Sequence, residues 1–166
     1  MERILIIGCS GSGKSTLARA LKEKLGLPLI HLDQLWWKEG WNHVTREEFD
    51  SRLAMALNME QWIIDGNYSR TISARLERCD AVIYLDFGKW VCLWGAVSRY
   101  LRNLGKVRPD MPSGCRERLD WEHLKYIWGY NQNNRVRNYT YLAQAQHAKH
   151  IVLKSRKEIN AFLETL

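Results

Sequence analysis

The feature that most constrains this chain is a glycine-rich stretch near its start, Gly8-Cys9-Ser10-Gly11-Ser12-Gly13-Lys14-Ser15. It matches the pattern G-x-x-x-x-G-K-[ST] and lies between the apolar run 4–7 and a segment of helical period. Glycines allow such a loop to point its backbone N–H groups at phosphate oxygens, and the following helix adds its positive N-terminal dipole. The stretch therefore predicts a phosphate-binding loop between a strand and a helix.

Apolar periodicity places this loop in an α/β fold, because short apolar runs alternate with longer segments of helical period. The predicted buried strands are 4–7, 27–32, 62–64, 81–85 and 151–153. Capping boxes at Thr45–Glu48 and Ser155–Glu158 predict the starts of two helices. Near the C-terminus, a helix that includes Trp121 and Trp128 is predicted to give way to a polar stretch.

The size of the chain, 166 residues, predicts a single domain, 1–166. Within it we expect an acceptor-site insertion at about 34–60 and a lid at about 102–118. No apolar run approaches bilayer length and the start lacks the features of a signal peptide, so we expect a cytoplasmic protein that does not enter membranes. The four cysteines show no CxxC spacing and are expected to be reduced.

The loop predicts the residues that bind a nucleoside triphosphate. Lys14 is expected to reach the β- and γ-phosphates, and the Ser15 hydroxyl to ligate Mg²⁺. Asp65 ends a predicted strand and has the position of a second Mg²⁺ ligand. The predicted nucleotide-binding residues are Gly8, Cys9, Ser10, Gly11, Ser12, Gly13, Lys14, Ser15 and Thr16.

The residue after Asp65 indicates the kind of reaction. Hydrolytic P-loop ATPases commonly place a glutamate there to orient water, whereas this chain has Gly66. This argues against a motor or an AAA-type ATPase and favours transfer to a bound acceptor. Asp33, at the end of another predicted strand, is the candidate base for an acceptor hydroxyl, with a helix cap or surface charge as the alternative.

Aromatic and amide side chains follow the same strand ends. Trp36, Trp37 and Trp41 come soon after Asp33, and they either stack on the acceptor or fill the core; the remaining tryptophans are predicted to be core. The predicted acceptor-binding residues are Asp33, Trp36, Trp37, Asn67, Tyr68 and Arg70.

Positive charge is concentrated in one part of the chain. Residues 99–137 contain nine Lys/Arg and four Asp/Glu, a net charge of +5 out of +7 for the whole protein. A loose phosphoryl-transfer transition state is stabilised by placed positive charge, which a lid can supply. Individual arginines can equally be solvated surface charges. The predicted catalytic residues are Lys14, Asp33, Arg99, Arg102, Arg108 and Arg116.

Several segments together resemble a known family. They are IIGCSGSGKSTLA, LPLIHLDQLWWKEGW, WIIDGNYSRT, RLERCDAVIYLDF and RPDMPSGCRERL, which span nearly the whole chain. The chain resembles P-loop kinases of the adenylate kinase type, and more closely the bacterial DNA topology modulation proteins. This resemblance implies a three-layer α/β/α P-loop NTPase fold with a five-stranded parallel sheet of order 2-3-1-4-5, ATP in the loop and an arginine-bearing lid.

Two functional hypotheses follow. The first is a Mg²⁺·ATP-dependent kinase that transfers the γ-phosphoryl group to a small hydroxyl or phosphate acceptor. The second is a nucleotide-gated DNA-binding regulator whose basic segment 99–137 contacts backbone phosphates. The sequence lacks a recognised DNA-reading motif, which favours the kinase. The pattern fixes neither the acceptor, the choice of ATP or GTP, nor an oligomeric state.

Overall fold

A computed structural model describes residues 1–166 and shows an α/β fold. The strands are β1 (Arg3–Gly8), β2 (Leu29–His31), β3 (Trp37–Lys38), β4 (Asn42–His43), β5 (Trp62–Asp65), β6 (Ala81–Leu85) and β7 (Lys149–Leu153). The helices are α1 (Lys14–Leu25), α2 (Leu32–Trp36), α3 (Arg46–Leu57), α4 (Ile72–Arg78), α5 (Lys89–Arg102), α6 (Trp121–Gln144) and α7 (Arg156–Glu164).

The central sheet has five strands in the order β2-β5-β1-β6-β7, and every neighbouring pair is parallel. Counted among the sheet strands alone, this is the order 2-3-1-4-5, so the predicted fold class is confirmed. The remaining strands, β3 and β4, form a separate antiparallel hairpin. Because β1 is the middle strand, the glycine loop at its C-terminal end lies at the centre of the sheet edge.

Helices cover both faces of the sheet because successive residues of β1 point to opposite sides. Ile4 and Ile6 belong to one buried cluster with residues of α1, α5, α6 and α7. Leu5 and Ile7 belong to a second cluster with residues of α3, α4 and the end of α6. The fold therefore has three layers, with one apolar core on each side of the sheet.

The hydroxyl half of each predicted capping box is present. The Thr45 hydroxyl accepts a hydrogen bond from the Glu48 N–H at 3.2 Å, and the Ser155 hydroxyl accepts one from the Glu158 N–H at 3.2 Å. The Glu158 carboxylate accepts from the Lys154 N–H at 2.8 Å. The Glu48 carboxylate instead pairs with Lys38 and Arg52 rather than with the Thr45 N–H. These side chains satisfy N–H groups that have no partner within the helix, and they fix where α3 and α7 begin.

Helix α6 is longer than the sequence predicted. It continues through the polar stretch to Gln144 because two of the asparagines there are buried. Asn138 donates to the Tyr130 hydroxyl at 3.0 Å, and Asn134 accepts a hydrogen bond from Arg137. Polar side chains with such partners can be buried within a helix.

The prediction that the remaining tryptophans form core was wrong for most of them. Trp62 is buried, but Trp90, Trp94 and Trp121 are 67%, 70% and 68% exposed. The helical spacing was correctly recognised, but the buried residues of α5 are the small Cys92 and Ala96. Small residues face inward there because α5 packs closely against the glycine loop.

The segment between α5 and α6, residues 103–120, contains no helix or named strand. An isolated antiparallel bridge between Val107 and Arg116 folds it back on itself. None of the helices combines the length and the apolar character that a bilayer-spanning segment needs.

Candidate active site

The glycine loop connects β1 to α1, and two of its glycines adopt a left-handed backbone. Gly11 and Gly13 have φ values of 77° and 97°, which residues with a Cβ atom rarely adopt. Lys14 Nζ donates to the Cys9 carbonyl oxygen at 2.9 Å, so this side chain bends back over the loop. The loop thus has the backbone form and the lysine that a phosphate-binding site requires.

Asn67 holds the start of this loop. Its side-chain oxygen accepts from the Gly8 N–H at 3.1 Å, and its side-chain nitrogen donates to the Gly8 carbonyl at 2.9 Å. Asn67 was predicted to bind the acceptor. Its amide lines the cavity described below, but both polar ends already hold the loop in place.

Helix α5 packs directly on the glycine loop through two glycines. A Cβ atom added at Gly95 would overlap the Gly11 carbonyl oxygen, and one added at Gly11 would overlap the Cys92 carbonyl oxygen. Backbone therefore meets backbone at this contact. The position of the loop depends on α5 as well as on β1.

A cavity of about 380 Å³ opens over the start of α1 and has no hydrophobic residue in its lining. Its walls carry six cationic side chains and one carboxylate: Lys14, Arg19, Arg99, Arg102, Arg108, Arg156 and Asp110. Arg156 reaches the loop itself, because its guanidinium occupies the space where a Cβ atom at Gly13 would lie. A cavity of this charge at a helix N-terminus is suited to a polyphosphate.

Ser15 and Asp65 fit a divalent cation beside that polyphosphate. Asp65 Oδ2 lies 3.0 Å from His31 Nδ1, while Asp65 Oδ1 is buried and has no hydrogen-bond partner. Burial raises the pKa of Asp65, but the hydrogen bond with His31 and the charge of Lys14 outweigh it, and the net pKa shift is downward. An ionised carboxylate with a free oxygen and a nearby hydroxyl is the donor set that Mg²⁺ prefers.

Asp33 lies in the first turn of α2 rather than directly after a strand. Its Oδ1 accepts a hydrogen bond from the Tyr68 hydroxyl at 2.8 Å. Desolvation raises the pKa of Asp33, the Tyr68 hydrogen bond opposes this, and the nearby charge of Asp65 adds to the rise. The net result is a carboxylate that is more basic than an ordinary aspartate.

Arg75 orders the segment that carries Asn67 and Tyr68. Its guanidinium is fully buried and donates to four backbone carbonyls, those of Gly66, Asn67, Tyr68 and Thr71. No carboxylate forms an ion pair with it. Tyr68 has a φ of 32°, an uncommon value for a residue with a side chain, and these hydrogen bonds hold it there.

A second cavity, of about 310 Å³, contains Asp33. It shares Lys14, Ser15, Arg99, Arg108 and Asp110 with the first cavity, so the two meet at these residues. Residues that line only the second cavity include Ser10, His31, Asp33, Trp37, Trp41, Asp65, Asn67, Tyr68, Glu117, Arg118, Asp120 and His123.

Two arginines at the boundary between the cavities are held by carboxylates of the 103–120 segment. Arg108 Nε lies 2.6 Å from Glu117 Oε2, and Arg108 Nη1 lies 3.1 Å from Asp110 Oδ2. Arg99 Nε lies 3.3 Å from Glu117 Oε1. Because Glu117 and Asp110 are buried, these ion pairs place both guanidinium groups between the cavities.

The 103–120 segment rests on the hairpin and on α2. Gln34 Nε2 donates to the Pro109 carbonyl at 2.9 Å, Trp41 Nε1 donates to the Arg116 carbonyl at 3.2 Å, and Cys115 Sγ donates to the Lys38 carbonyl at 3.2 Å. These contacts close one side of the second cavity.

Three predicted acceptor-binding or catalytic residues lie outside both cavities, and so do Gly8, Cys9 and Ser12 of the glycine loop. Trp36 stacks on His43, with ring centroids 4.8 Å apart, and packs against Phe49. Arg70 forms a two-point ion pair with Asp50 on the outer surface, at 2.6 and 2.9 Å. Arg116 is exposed, and it approaches the second cavity only through its backbone carbonyl.

Sequence reasoning missed several residues that line the cavities. Arg156 follows the Ser155 cap after the last sheet strand, so its position at the ligand-binding edge of the sheet was a usable signal. His123 Nε2 lies 2.9 Å from the Ser10 hydroxyl, a contact across 113 residues that no local pattern indicates. Glu117 was hidden for the same reason, since only folding brings it to Arg99 and Arg108.

The parallel sheet, the glycine loop and the arginines between two cavities define a protein with a P-loop kinase fold. A family model described as an AAA domain matches residues 4–87, about half of the chain, and the chain belongs to that family. The family match does not test the argument from Gly66, which concerns ATP hydrolysis. The matched region contains the glycine loop and Asp65, whereas the 103–120 segment lies beyond it.

Two solved structures share the fold. Shikimate kinase from Bacteroides thetaiotaomicron superposes with a TM-score of 0.55 at 19% identity, covering 99% of this chain and 95% of that chain. Shikimate kinase from Acinetobacter baumannii in complex with shikimate superposes with a TM-score of 0.55 at 18% identity, covering 99% and 90%. At such identities the likeness establishes the fold. No curated protein matches the sequence.

Proposed function

We propose that this protein is a Mg²⁺·ATP-dependent phosphotransferase that moves the γ-phosphoryl group to a small acceptor bound beside Asp33. The observation that carries the proposal is the meeting of two cavities at Lys14, Arg99 and Arg108. One cavity is cationic and suits a triphosphate, and the other contains a basic carboxylate and aromatic rings. A phosphoryl group in transfer would lie between them, where positive charge stabilises its oxygens.

In this reaction Asp33 accepts the proton of the acceptor hydroxyl. Its raised pKa makes it a better base, and the Tyr68 hydrogen bond aims its free oxygen into the cavity. Lys14, Arg99 and Arg108 hold the oxygens of the transferring group. Segment 103–120 serves as the lid, and α2 with the hairpin forms the acceptor-site insertion.

Ser15 and Asp65 would hold Mg²⁺, and His31 helps to keep Asp65 ionised. When bound, the ion supplies charge that neutralises the phosphate oxygens. Gly66 offers no side chain to orient a water molecule, so hydrolysis without an acceptor is expected to be slow.

The test of the triphosphate site is replacement of Lys14. Lys14→Ala should weaken Mg²⁺·ATP binding by at least about 100-fold in calorimetry, because a buried charged contact to the phosphates is lost. Lys22→Ala, on the exposed last turn of the same helix, is the matched control and should bind as the wild type does. Unchanged binding by Lys14→Ala would overturn the proposal.

A second hypothesis, DNA binding by the 99–137 segment, has one supporting observation. Exposed aromatic rings of this segment lie beside cations: Lys125 of the segment is 5.8 Å from the Trp121 ring, and Lys89, which precedes the segment, is 3.9 Å from the Trp128 ring. Such surfaces bind nucleic acid by stacking and by charge. Filter binding of duplex and single-stranded DNA at two salt concentrations tests it, and a lack of retention at low salt would exclude it.

A further inference from the structure

The charges around the second cavity indicate which class of acceptor it takes. Lys14, Arg99 and Arg108 line both cavities, so a triphosphate in the first cavity engages them. The ionisable groups that line only the second cavity are four carboxylates, one arginine and two histidines: Asp33, Asp65, Glu117, Asp120, Arg118, His31 and His123. Asp65 would hold Mg²⁺, and Glu117 is already paired with Arg99 and Arg108. The unpaired carboxylates are then Asp33 and Asp120, and two negative charges with the one positive charge of Arg118 leave a formal charge of −1.

The one arginine in this set, Arg118, is exposed, as Asp120 is, and its guanidinium lies 4.2 Å from the centre of the Trp41 ring. Burial lowers the pKa of His123, so this imidazole adds no charge near neutral pH. The acceptor therefore meets more unpaired carboxylates than free cations in the part of the cavity that the triphosphate does not reach.

Two of these carboxylates are fixed in place by the fold. Glu117 is buried and bridges Arg99 and Arg108. Asp120 is the N-cap of α6 and accepts from the His123 N–H at 2.8 Å. Neither can turn away from an incoming ligand without breaking these contacts.

Two tryptophans supply the remaining surface. The rings of Trp37 and Trp41 are arranged edge to face, with centroids 5.3 Å apart, and both line the cavity. Aromatic faces beside carboxylates attract ammonium groups and the C–H surfaces of saturated rings, whereas they offer nothing to phosphate or carboxylate.

We infer that the acceptor is a hydroxyl compound without phosphate or carboxylate groups, and that an amine-bearing member of this class, such as an amino sugar or an amino alcohol, is preferred over its neutral counterpart. The transfer step rests on the proposed function. In that step the acceptor oxygen forms a bond to the γ-phosphorus while the bond between the γ-phosphorus and the β-phosphate oxygen breaks. Asp33 takes the proton of the acceptor hydroxyl. The charge preference concerns binding alone.

Quenching of Trp37 fluorescence tests the charge preference without knowledge of the acceptor. In protein loaded with Mg²⁺·ADP, the Trp37 signal is the difference between the wild type and Trp37→Phe. To remove the intrinsic difference between the two quenchers, the quenching constant of each ion is divided by its quenching constant for free N-acetyltryptophanamide. We expect the normalised constant of caesium to exceed that of iodide. An equal or greater normalised constant for iodide would overturn the inference.

Asp120→Asn sharpens this test because asparagine is an equally good N-cap but carries no charge. It should reduce the caesium-to-iodide ratio about sevenfold, because one charge at about 7 Å in water changes the local concentrations of the cation and the anion by roughly 2.7-fold each, in opposite directions. Asp50→Asn, which removes a surface charge paired with Arg70, is the matched control and should leave the ratio unchanged. Equal effects of the two variants would contradict a local potential in the cavity.

Turnover is then measured with glucosamine, glucose and glucuronate, which differ at single ring substituents, and with adenosine and AMP. ADP release should occur with amine or neutral members only, and the fastest turnover with glucuronate or AMP would overturn the inference. Failure of all five compounds would count against phosphotransfer to such acceptors, while the quenching ratio still decides the charge preference.

Discussion

At the scale of single residues, the site depends on side chains that set the protonation and position of other side chains. Tyr68 donates to Asp33, and Arg75 in turn holds the backbone of Tyr68. His31 forms a hydrogen bond with the carboxylate of Asp65 on the neighbouring strand. The groups placed nearest the chemistry are thus each held by one partner from a different element.

Removal of the Tyr68 hydroxyl tests the base. That hydrogen bond lowers the pKa of Asp33 against desolvation, so Tyr68→Phe should raise this pKa further. The acid limb of kcat/KM against pH should then move to higher pH by about one unit, because Asp33 must be ionised to accept a proton. Above that limb the rate should change little.

The control for this prediction is Tyr139→Phe, which removes a phenol-to-carboxylate hydrogen bond to Asp86 outside both cavities. Its pH profile should match that of the wild type. An acid limb that does not move in Tyr68→Phe would mean that Asp33 is not the group that titrates.

At the scale of elements, the contact between α5 and the glycine loop is the tightest link in the site. It consists of Gly95 against Gly11, with no room for a side chain on either. Helix α5 also carries Arg99 and Arg102, which line the first, cationic cavity. One contact therefore sets the distance between the glycine loop and the helix that carries these arginines.

Gly95→Ala should disturb both stability and nucleotide binding. The added methyl group would overlap the Gly11 carbonyl, so we expect a loss of about 1–3 kcal/mol in the free energy of unfolding and weaker ATP binding. Gly129→Ala, also within a helix, meets only the flexible Asn133 side chain and is the control. Urea unfolding and ATP titration measure both effects, and equal behaviour of the two variants would contradict the packing described here.

At the scale of the whole molecule, the first, cationic cavity joins parts of the chain that are far apart in sequence. Lys14 comes from the first helix, Arg99 and Arg102 come from α5, and Arg156 comes from the last helix. A bound polyphosphate would connect these elements and oppose unfolding of the chain as a unit, because ligands that bind only the folded state stabilise it.

Mg²⁺·ATP at 100 times its Kd should therefore raise stability by about 2.7 kcal/mol, which corresponds to a rise of roughly 5–10 °C in Tm. Arg156→Gln should reduce this rise at the same ATP concentration, because a cation is lost from the cavity wall. Lys157→Gln, on the next residue and outside the cavity, should not. Scanning calorimetry with and without ligand provides the measurement.

The sequence predicted the strands and the glycine loop because these depend on local patterns, whereas the strand order followed from the resemblance to kinases of the adenylate kinase type. The strand at 81–85 and the helix start after Thr45 follow from apolar runs and capping residues. It did not predict that Trp36 packs on His43 while Trp37 lines a cavity, because consecutive residues point in different directions once the chain leaves α2. That choice is made by tertiary packing.

The cavity walls were harder to predict for a related reason. Arg99 and Arg108 were recognised by charge, but their partner Glu117 becomes apparent only when the 103–120 segment folds back. Arg70 and Arg116 had the same composition signal, yet they lie outside both cavities. Spacing shows that cations are concentrated in a segment, whereas the direction of each side chain depends on contacts distant in sequence.

The three hydrogen bonds from Gln34, Trp41 and Cys115 that join the 103–120 segment to α2 and the hairpin have a kinetic consequence. At about 1 kcal/mol net for each bond, the three bonds together contribute about 3 kcal/mol. The detached form of the segment would then make up about 1% or less of the free protein. Because these contacts close one side of the second cavity, we expect a compound beside Asp33 to leave faster while the segment is detached. Its residence time should then depend on the frequency of these openings as well as on its own contacts with the cavity.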